Sequence, residues 1–204
     1  MSTYIERQVS SNNDDAHEAD DGTDFSSSAL QLNMQSDPGA VGRHNAGLRF
    51  TNITIPQGSR IQHVRFLTQH STLSNQANCD IHCEDIDDAP DFVANADVTS
   101  RVRTSASVPW SIDSIPLGNQ IPVPPDLRSL VQEVVDRPLW VPGNAIVLLC
   151  IGRNTVGPLM RILAHDFMAS VAAQLMIVYG ESDDTPLLTN LTEVQRLPDK
   201  SVGY

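Results

Sequence analysis

The chain has 204 residues and a net charge of −12, with 25 acidic residues against 13 basic ones and Lys200 as its only lysine. This length suits a single β-sandwich domain with a sizeable core. Nucleic acids and anionic lipid surfaces bind clustered cations, and the sequence has no such cluster. We therefore expect no nucleic-acid partner and no membrane partner.

The first 29 residues are polar and acidic, which taken alone is typical of disorder. Strand-like pieces flank this stretch at residues 4–9 and 30–34. The pattern predicts two edge strands joined by a solvated loop. We therefore divide the chain into an acidic N-terminal segment with an edge strand (1–29), a sandwich (30–179) and a C-terminal tail or arm (180–204).

Clear strands begin at Gly47, where the sequence GLRFTNITIPQGSRI alternates apolar and polar residues. The alternation slips by one position near Thr51 and Asn52, which predicts a bulge or a corner between sheets. A turn is expected at Pro56-Gln57-Gly58, followed by a second strand from Ile61. Further strands are predicted in CDIHCEDI, VTSRVRTSASVPW, AIVLLCI, MRIL and AQLMIVY.

One segment has a helical pattern, at about residues 126–137. Its apolar residues recur at helical spacing and form one stripe: Leu127, Leu130, Val131, Val134 and Val135. Prolines bound the segment on both sides. The elements together predict an all-β fold, an antiparallel jelly-roll β-sandwich with one short amphipathic helix.

The three cysteines are Cys79, Cys83 and Cys150, an odd number that argues against a complete disulfide framework. Cys79 and Cys83 are four residues apart in a predicted strand, about 13 Å by the rise per residue, which is too far for a disulfide. We expect three buried free thiols, as in a protein made in a reducing compartment.

Several motifs occur in an order typical of one kind of domain: SSNNDDAHE, GLRFTNITIPQGSRI, CEDIDDAPDF, RVRTSASVPW and PDLRSLVQEVVDRPLWVPGNAIVLL. Over roughly residues 5–179 the chain resembles the jelly-roll modules of bacterial secreted and surface proteins, of the carbohydrate-binding-module and DNRLRE types. The resemblance implies an exposed, adhesive or structural role and brings no catalytic residues. The segment RILAHDFMASVAAQ is more apolar than the corresponding part of such modules.

Two acidic clusters are candidates for a metal site or a catalytic site. Asp14, Asp15 and Glu18, with Asp20 and Asp21 nearby, could supply oxygen ligands to a structural calcium, although a solvated acidic loop explains them as well. Glu84, Asp85, Asp87 and Asp88 could be paired carboxylates of a glycosidase, but an Asp-rich turn is the simpler interpretation. We predict no catalytic residue, no cofactor-binding residue and no resident metal.

Two further groups have a structural and a functional interpretation. His63, His70 and His82 would form a zinc site only if neighbouring strands brought them together. Trp110 and Trp140 could stack on a sugar ring, yet both lie beside prolines at the ends of predicted elements, which favours core positions.

The functional hypothesis is a non-enzymatic phage virion protein, a capsid decoration or cement protein that coats or stabilises the shell. The opening MSTYIER has no apolar export core, so we expect synthesis in the host cytoplasm and localisation in the virion. The expected partners are the major capsid protein and the protein itself, as a homo-oligomer for which a trimer would suit threefold positions. The alternative is a carbohydrate-binding or host-adhesion module of a tail fibre or cell surface.

Overall fold

The computed structural model describes residues 1–34, 43–69, 77–95, 97–112, 126–153 and 160–180. The strands are β1 (Thr3–Gln8), β2 (Asp15–Ala19), β3 (Gln31–Met34), β4 (His44–Phe50), β5 (Arg60–Leu67), β6 (Ala77–Cys83), β7 (Val108–Ile112), β8 (Ile146–Gly152), β9 (Met160–Leu163) and β10 (Gln174–Gly180). The helix α1 spans Arg128–Val135, and short 3₁₀ turns occupy Asn12–Asp14 and Ala169–Val171.

The strands form three antiparallel sheets. A three-stranded sheet has the order β1-β10-β5, a five-stranded sheet has the order β2-β4-β8-β6-β7, and β3 pairs with β9. The predicted all-β sandwich with antiparallel sheets and one short helix is therefore confirmed. Among the described residues, no helix has the length and apolarity needed to cross a membrane.

The chain crosses several times between the two larger sheets, as in a jelly roll, with β1, β5 and β10 in one sheet and β2, β4, β6, β7 and β8 in the other. Helix α1 packs against β5, where a fourth strand would lie in such a sandwich. The Gln132 side chain forms hydrogen bonds with the backbone at the start of β5, as a neighbouring strand would. Its Oε1 accepts the backbone N–H of Ile61 at 2.8 Å, and its Nε2 donates to the carbonyl of Ser59 at 3.0 Å.

The main core lies between the five-stranded sheet and the other two sheets, with α1 closing one end. The whole predicted helical stripe is buried, from Leu127 to Val135. Ile53 and Ile55 are also fully buried, although they lie after the end of β4. Burial of apolar surface in this core is the dominant stabilising contribution.

Two strand boundaries differ from the sequence prediction, and one predicted turn is present. The strand predicted over 48–55 ends at Phe50, because Asn52 adopts a left-handed conformation with φ of 56° and turns the chain. This turn accounts for the slip in the alternation. The strand predicted over 98–110 begins only at Val108. The PQG turn is present, with Gly58 at φ of 70°.

The N-terminal segment contains more structure than its composition suggests. The edge-strand pieces appear as β1 and β3, but the acidic stretch between them also contains β2, which belongs to the five-stranded sheet. Residues 181–204, which make up nearly all of the tail assigned from the sequence, lie outside the described residues.

Candidate functional site

The outer face of the five-stranded sheet is covered by the chain from residue 84 to residue 104, which we call the covering loop. Apolar side chains from the loop and the sheet form a second hydrophobic cluster there: Ala16, Ala89, Phe92, Val98, Ala145, Val147 and Leu149. The sandwich thus has a third layer, and this layer contains few strand hydrogen bonds to hold it.

Arg101 holds the covering loop in place. Its side chain is only 3% exposed, and Nη1 donates to Glu84 Oε2 at 2.6 Å and to the carbonyl of Pro90 at 2.9 Å. Nη2 donates to the carbonyl of Asp91 at 2.9 Å, and Nε donates to the carbonyl of Asp97 at 2.7 Å. One guanidinium group therefore forms hydrogen bonds with four residues of the loop, as its planar set of donors allows.

Phe92 fixes the covering loop to the sheet. The guanidinium carbon of Arg101 lies 4.1 Å from the centre of the Phe92 ring, within the range of a cation–π contact. The tip of the ring points at Gly47 of β4, where an added Cβ atom would lie 2.4 Å from Phe92 Cζ. Only a glycine fits at this position.

Arg137, just after α1, joins the helix to the covering loop. Its Nε donates to Asp87 Oδ1 at 3.0 Å, and its Nη1 pairs with the carboxylate of Asp85. Asn144 Nδ2 also donates to the carbonyl of Asp87 at 2.9 Å. The end of the helix and the start of the covering loop are consequently one connected surface region.

Large apolar side chains are exposed in this region. Leu139 is 74% exposed and Val141 is 55% exposed after the helix. Val102 is 66% exposed and Ile86 is 36% exposed in the covering loop. The carbonyl of Val102 accepts the backbone N–H of Asp85 at 2.8 Å, which places it beside the Arg137 ion pairs. We call these four residues the helix-end surface; exposed apolar groups rimmed by charges are typical of association surfaces.

A different feature is the strand β2, which is buried at all five positions although it lies at the edge of its sheet. The chain at Ser26 covers its outer edge through two backbone hydrogen bonds with His17, both at 3.0 Å. Within the part of the chain that the structure describes, four buried side-chain atoms in or beside β2 have no hydrogen-bond partner: Asp15 Oδ1, His17 Nδ1, Glu18 Oε1 and His44 Nδ1. Such a concentration of unpartnered buried polar atoms calls for an explanation.

The calcium hypothesis for the first acidic cluster loses its geometric basis, because a β-strand directs successive side chains to opposite faces. Asp15 lies on the inner face, while Glu18 lies on the outer face, where its Oε2 accepts the backbone N–H groups of Val98 at 3.0 Å and Thr99 at 2.7 Å. Asp14 pairs with Arg49 at 2.6 Å. No group of three His, Cys, Asp or Glu residues among those described could hold a metal ion.

Asp20 and Asp21 shape the turn that follows β2. Asp20 pairs with Arg43 and accepts Asn45 Nδ2 at 2.9 Å. Asp21 accepts the hydroxyl and the backbone N–H of Thr23, and these hydrogen bonds lower its pKa. Both carboxylates thus have structural partners within the segment.

The second acidic cluster, at residues 84–88, supplies the partners of Arg101 and Arg137. Asp88 Oδ1 accepts a backbone N–H just before β8 at 2.8 Å. Burial raises the pKa of Glu84, and the charge of Arg101 partly opposes this effect. These carboxylates fix the covering loop, in agreement with the simpler interpretation of an Asp-rich turn, and do not face each other across a cleft.

The histidines considered for zinc do not form a group. His63 lies on β5 in the three-stranded sheet, and His82 lies on β6 in the five-stranded sheet, with its Nδ1 3.3 Å from the carbonyl of Thr104. His70 lies outside the described residues. Among the described residues, the condition for a zinc site is therefore not met, because His63 and His82 lie in different sheets.

Both tryptophans are core residues, as the sequence favoured. Trp140 is 1% exposed, and its Nε1 donates to the carbonyl of Ile55 at 2.9 Å. Trp110 is 2% exposed and meets Phe66 edge-on, with the ring centres 6.0 Å apart. Neither ring is available to stack on a sugar, so the tryptophans do not support the carbohydrate-binding alternative.

The three cysteines are free and buried, so the predicted interpretation is confirmed. A hydrogen bond with Cys150, together with burial, raises the pKa of Cys79. Burial likewise raises the pKa of Cys83. Thiols of this kind are poor nucleophiles, because the reactive form is the thiolate.

The roles of Arg101 and β2 were not predicted from the sequence. Arg101 stands in a polar stretch with no periodicity, and its partners are mostly backbone carbonyls. In β2, the small residues Ala16 and Ala19 between acidic ones were the available signal of burial.

Comparison with known proteins gives no family assignment. No protein-family model matches the chain, and no curated protein matches its sequence. The resemblance to bacterial jelly-roll modules therefore stays a prediction from sequence motifs.

Proposed function

We propose that the protein is a non-enzymatic structural protein of a phage virion that decorates or cements the capsid shell. The observation that carries this proposal is the helix-end surface, where four large apolar side chains are exposed on a rigidly supported region. The partner that we propose for this surface is the major capsid protein. Repeated copies on a symmetric lattice would turn modest contacts into tight overall binding.

The support beneath the helix-end surface suits an association role. Arg137 ties the helix to the covering loop, and Arg101 ties the covering loop to itself. Exposed apolar groups on a fixed frame bind with a small loss of conformational entropy. A flexible loop would lose more of its affinity on ordering.

The chemistry of the core suits a protein that folds in the cytoplasm and then persists outside the cell. Its cysteines are free and buried, so folding requires no disulfide formation. Gln132 also occupies the backbone N–H of Ile61 at the start of β5, which limits unwanted strand pairing with other copies at that point.

The proposal is tested first by mass spectrometry of purified particles from the source. The chain should be present in high copy number. Its absence from particles, or a copy number far below that of the shell protein, would refute the proposal.

The surface is tested by the double substitution Leu139→Ser with Val141→Ser. The variant should keep the melting temperature of the parent but bind undecorated capsids at least about tenfold more weakly, since each buried apolar side chain contributes about 1.5–3 kcal/mol. The matched control is Val93→Ser, which changes a side chain that is 67% exposed elsewhere in the covering loop. Equal binding by both variants would show that the helix-end surface is not the contact.

A second anchor is proposed from the sequence alone. Leu187, Leu188, Leu191, Val194 and Leu197 are numerous for a solvated tail, and they lie outside the described residues. We expect deletion of residues 182–204 to leave a folded protein that fails to oligomerise or fails to bind capsids. A deletion variant that assembles and decorates normally would exclude the tail as an anchor.

A further inference from the structure

Asp15 and His17 are two residues apart on β2, so their side chains lie on the same inner face of the sheet. They are 1% and 6% exposed, respectively. Asp15 Oδ1 and His17 Nδ1 both lack a hydrogen-bond partner among the residues that the structure describes. A buried charge without partners is strongly unfavourable, so the burial and the missing partners of these two side chains favour their uncharged forms.

The surroundings of Asp15 favour its neutral, protonated form. Within the described part of the chain, one donor reaches the carboxyl group, the backbone N–H of His165 at 2.8 Å from Oδ2. The negative charges of Asp166 and Asp14 also disfavour an ionised Asp15, and the imidazole of His165 is directed instead to Asn12, with its Nδ1 3.1 Å from Oδ1. Burial first, and then the two carboxylates, raise the pKa of Asp15 to about 7.

The surroundings of His17 favour its neutral form. Arg161 donates its Nε–H to Asn33 Oδ1 at 3.2 Å, which turns the Asn33 amide nitrogen towards His17 Nε2 at 3.5 Å. In this arrangement Nε2 must accept, and a protonated imidazole has no lone pair to offer.

Of the other charged or titratable groups near His17, some lower its pKa and one raises it. The ring of His44 on β4 lies 6.2 Å away, and its Nε2 bonds to Asp24 at 2.9 Å. Burial lowers the pKa of His17, His44 and Arg161 act in the same direction, and Asp24 opposes them.

We propose that Asp15 and His17 form a charge-exchanging pair: the folded protein carries a proton on Asp15 beside an uncharged His17, whereas the unfolded chain in mildly acidic solution carries an ionised Asp15 and a protonated His17. Folding then moves one proton from the imidazole to the carboxyl group. The number of bound protons then changes little, so the attachment of β2 depends only weakly on pH in mildly acidic solution. This inference does not depend on the capsid role.

Asp15 and His17 change the stability of the folded protein in opposite directions as the pH rises. Asp15 has a folded pKa of about 7 against an ordinary value of 3.8, so its contribution to stability is present at low pH and is lost as the pH rises towards 7. His17 has a lowered folded pKa against an ordinary value of 6.5, so its contribution is present above 6.5 and is lost as the pH falls. Between the ordinary pKa values of the two groups, 3.8 and 6.5, the two dependences therefore oppose each other.

The test is hydrogen exchange of the β2 amides in the full-length chain at pH 5.0 and 6.5, corrected for intrinsic exchange. The opening equilibrium of the parent protein should change by less than about threefold. In His17→Gln, opening should increase about 20-fold as the pH rises over this range, because only Asp15 then responds. In Asp15→Asn, opening should instead decrease as the pH rises.

Two further variants complete the design. The double variant with Asp15→Asn and His17→Gln should show no pH dependence, and Asp21→Asn, on the exposed turn after β2, should behave as the parent does. If either single variant keeps the flat response of the parent, or if both respond in the same direction, the proposal is wrong. Should Asp15→Asn fail to fold, the slope of His17→Gln alone decides between the outcomes.

Discussion

The two faces of the five-stranded sheet are covered in different ways. The inner face meets two other sheets and the apolar stripe of α1, so its cover is made of regular elements with periodic apolar side chains. The outer face meets the covering loop, which has few ladder hydrogen bonds and depends on Arg101, Phe92 and the absence of a side chain at Gly47. A loop can therefore act as a layer of a sandwich when one buried cation satisfies its carbonyl groups.

The comparison predicts different responses to damage. Loss of apolar contact on the inner face should weaken the whole domain, because the main core is shared by the sheets and the helix. Loss of a contact on the outer face should mainly release the covering loop, since the second cluster is small. Three substitutions test this distinction, from the largest expected effect to the smallest.

Leu130→Ala removes a fully buried side chain of α1 from the main core. We expect the free energy of unfolding to fall by about 4 kcal/mol, within the range for buried leucines. Denaturant unfolding measures this loss, which all spectroscopic probes should report together. Leu139→Ala, which truncates a side chain that is 74% exposed, is the matched control and should cost little. Similar losses in the two variants would contradict the packing of the helix.

Arg101→Ala removes the cation that holds the covering loop. We expect a cost of about 3 kcal/mol, because Glu84 and several carbonyl groups lose their buried partner. The pKa of Glu84 should rise further without this charge. The deficit relative to the parent should therefore grow as the pH increases above the ordinary value of 4.5.

The control for Arg101 is Arg103→Ala, two residues along the same loop, where the guanidinium is exposed and donates to a backbone carbonyl at 3.4 Å. Hydrogen exchange should show new opening at residues 84–104 in Arg101→Ala alone. Protection of that segment equal to the parent's would mean that Arg101 does not hold the loop.

Gly47→Ala places a methyl group where the tip of the Phe92 ring lies. Overpacking of this kind costs about 1–3 kcal/mol. Thermal unfolding gives the magnitude, and the added substitution Phe92→Leu should recover part of the loss by making room. If the double variant loses more stability than the two single variants lose together, the clash with Phe92 is not the cause of the loss in Gly47→Ala.

The sequence predicted the regular parts of the fold well, for a physical reason. The stripe in α1 and the apolar run in β8 reflect burial through periodicity, which one sequence displays directly. The covering loop and β2 depend on contacts between distant residues, such as Glu18 with the backbone at Val98, or Gly47 with Phe92. Polar residues whose hydrogen bonds come from such contacts look the same in the sequence as residues of a solvated loop. For this reason the sequence predicts a solvated loop in the acidic N-terminal stretch.

The pairing of β1 with β10 has a consequence for biosynthesis. Thr3 lies opposite Tyr179, so β1 cannot form this pairing until the distant strand β10 has been translated. At about 5–20 residues per second, translation of the intervening chain takes roughly 10–35 s. The three-stranded sheet is therefore completed only after β10 has been translated. A nascent chain that stops before β10 leaves both β1 and β5 without the strand that lies between them.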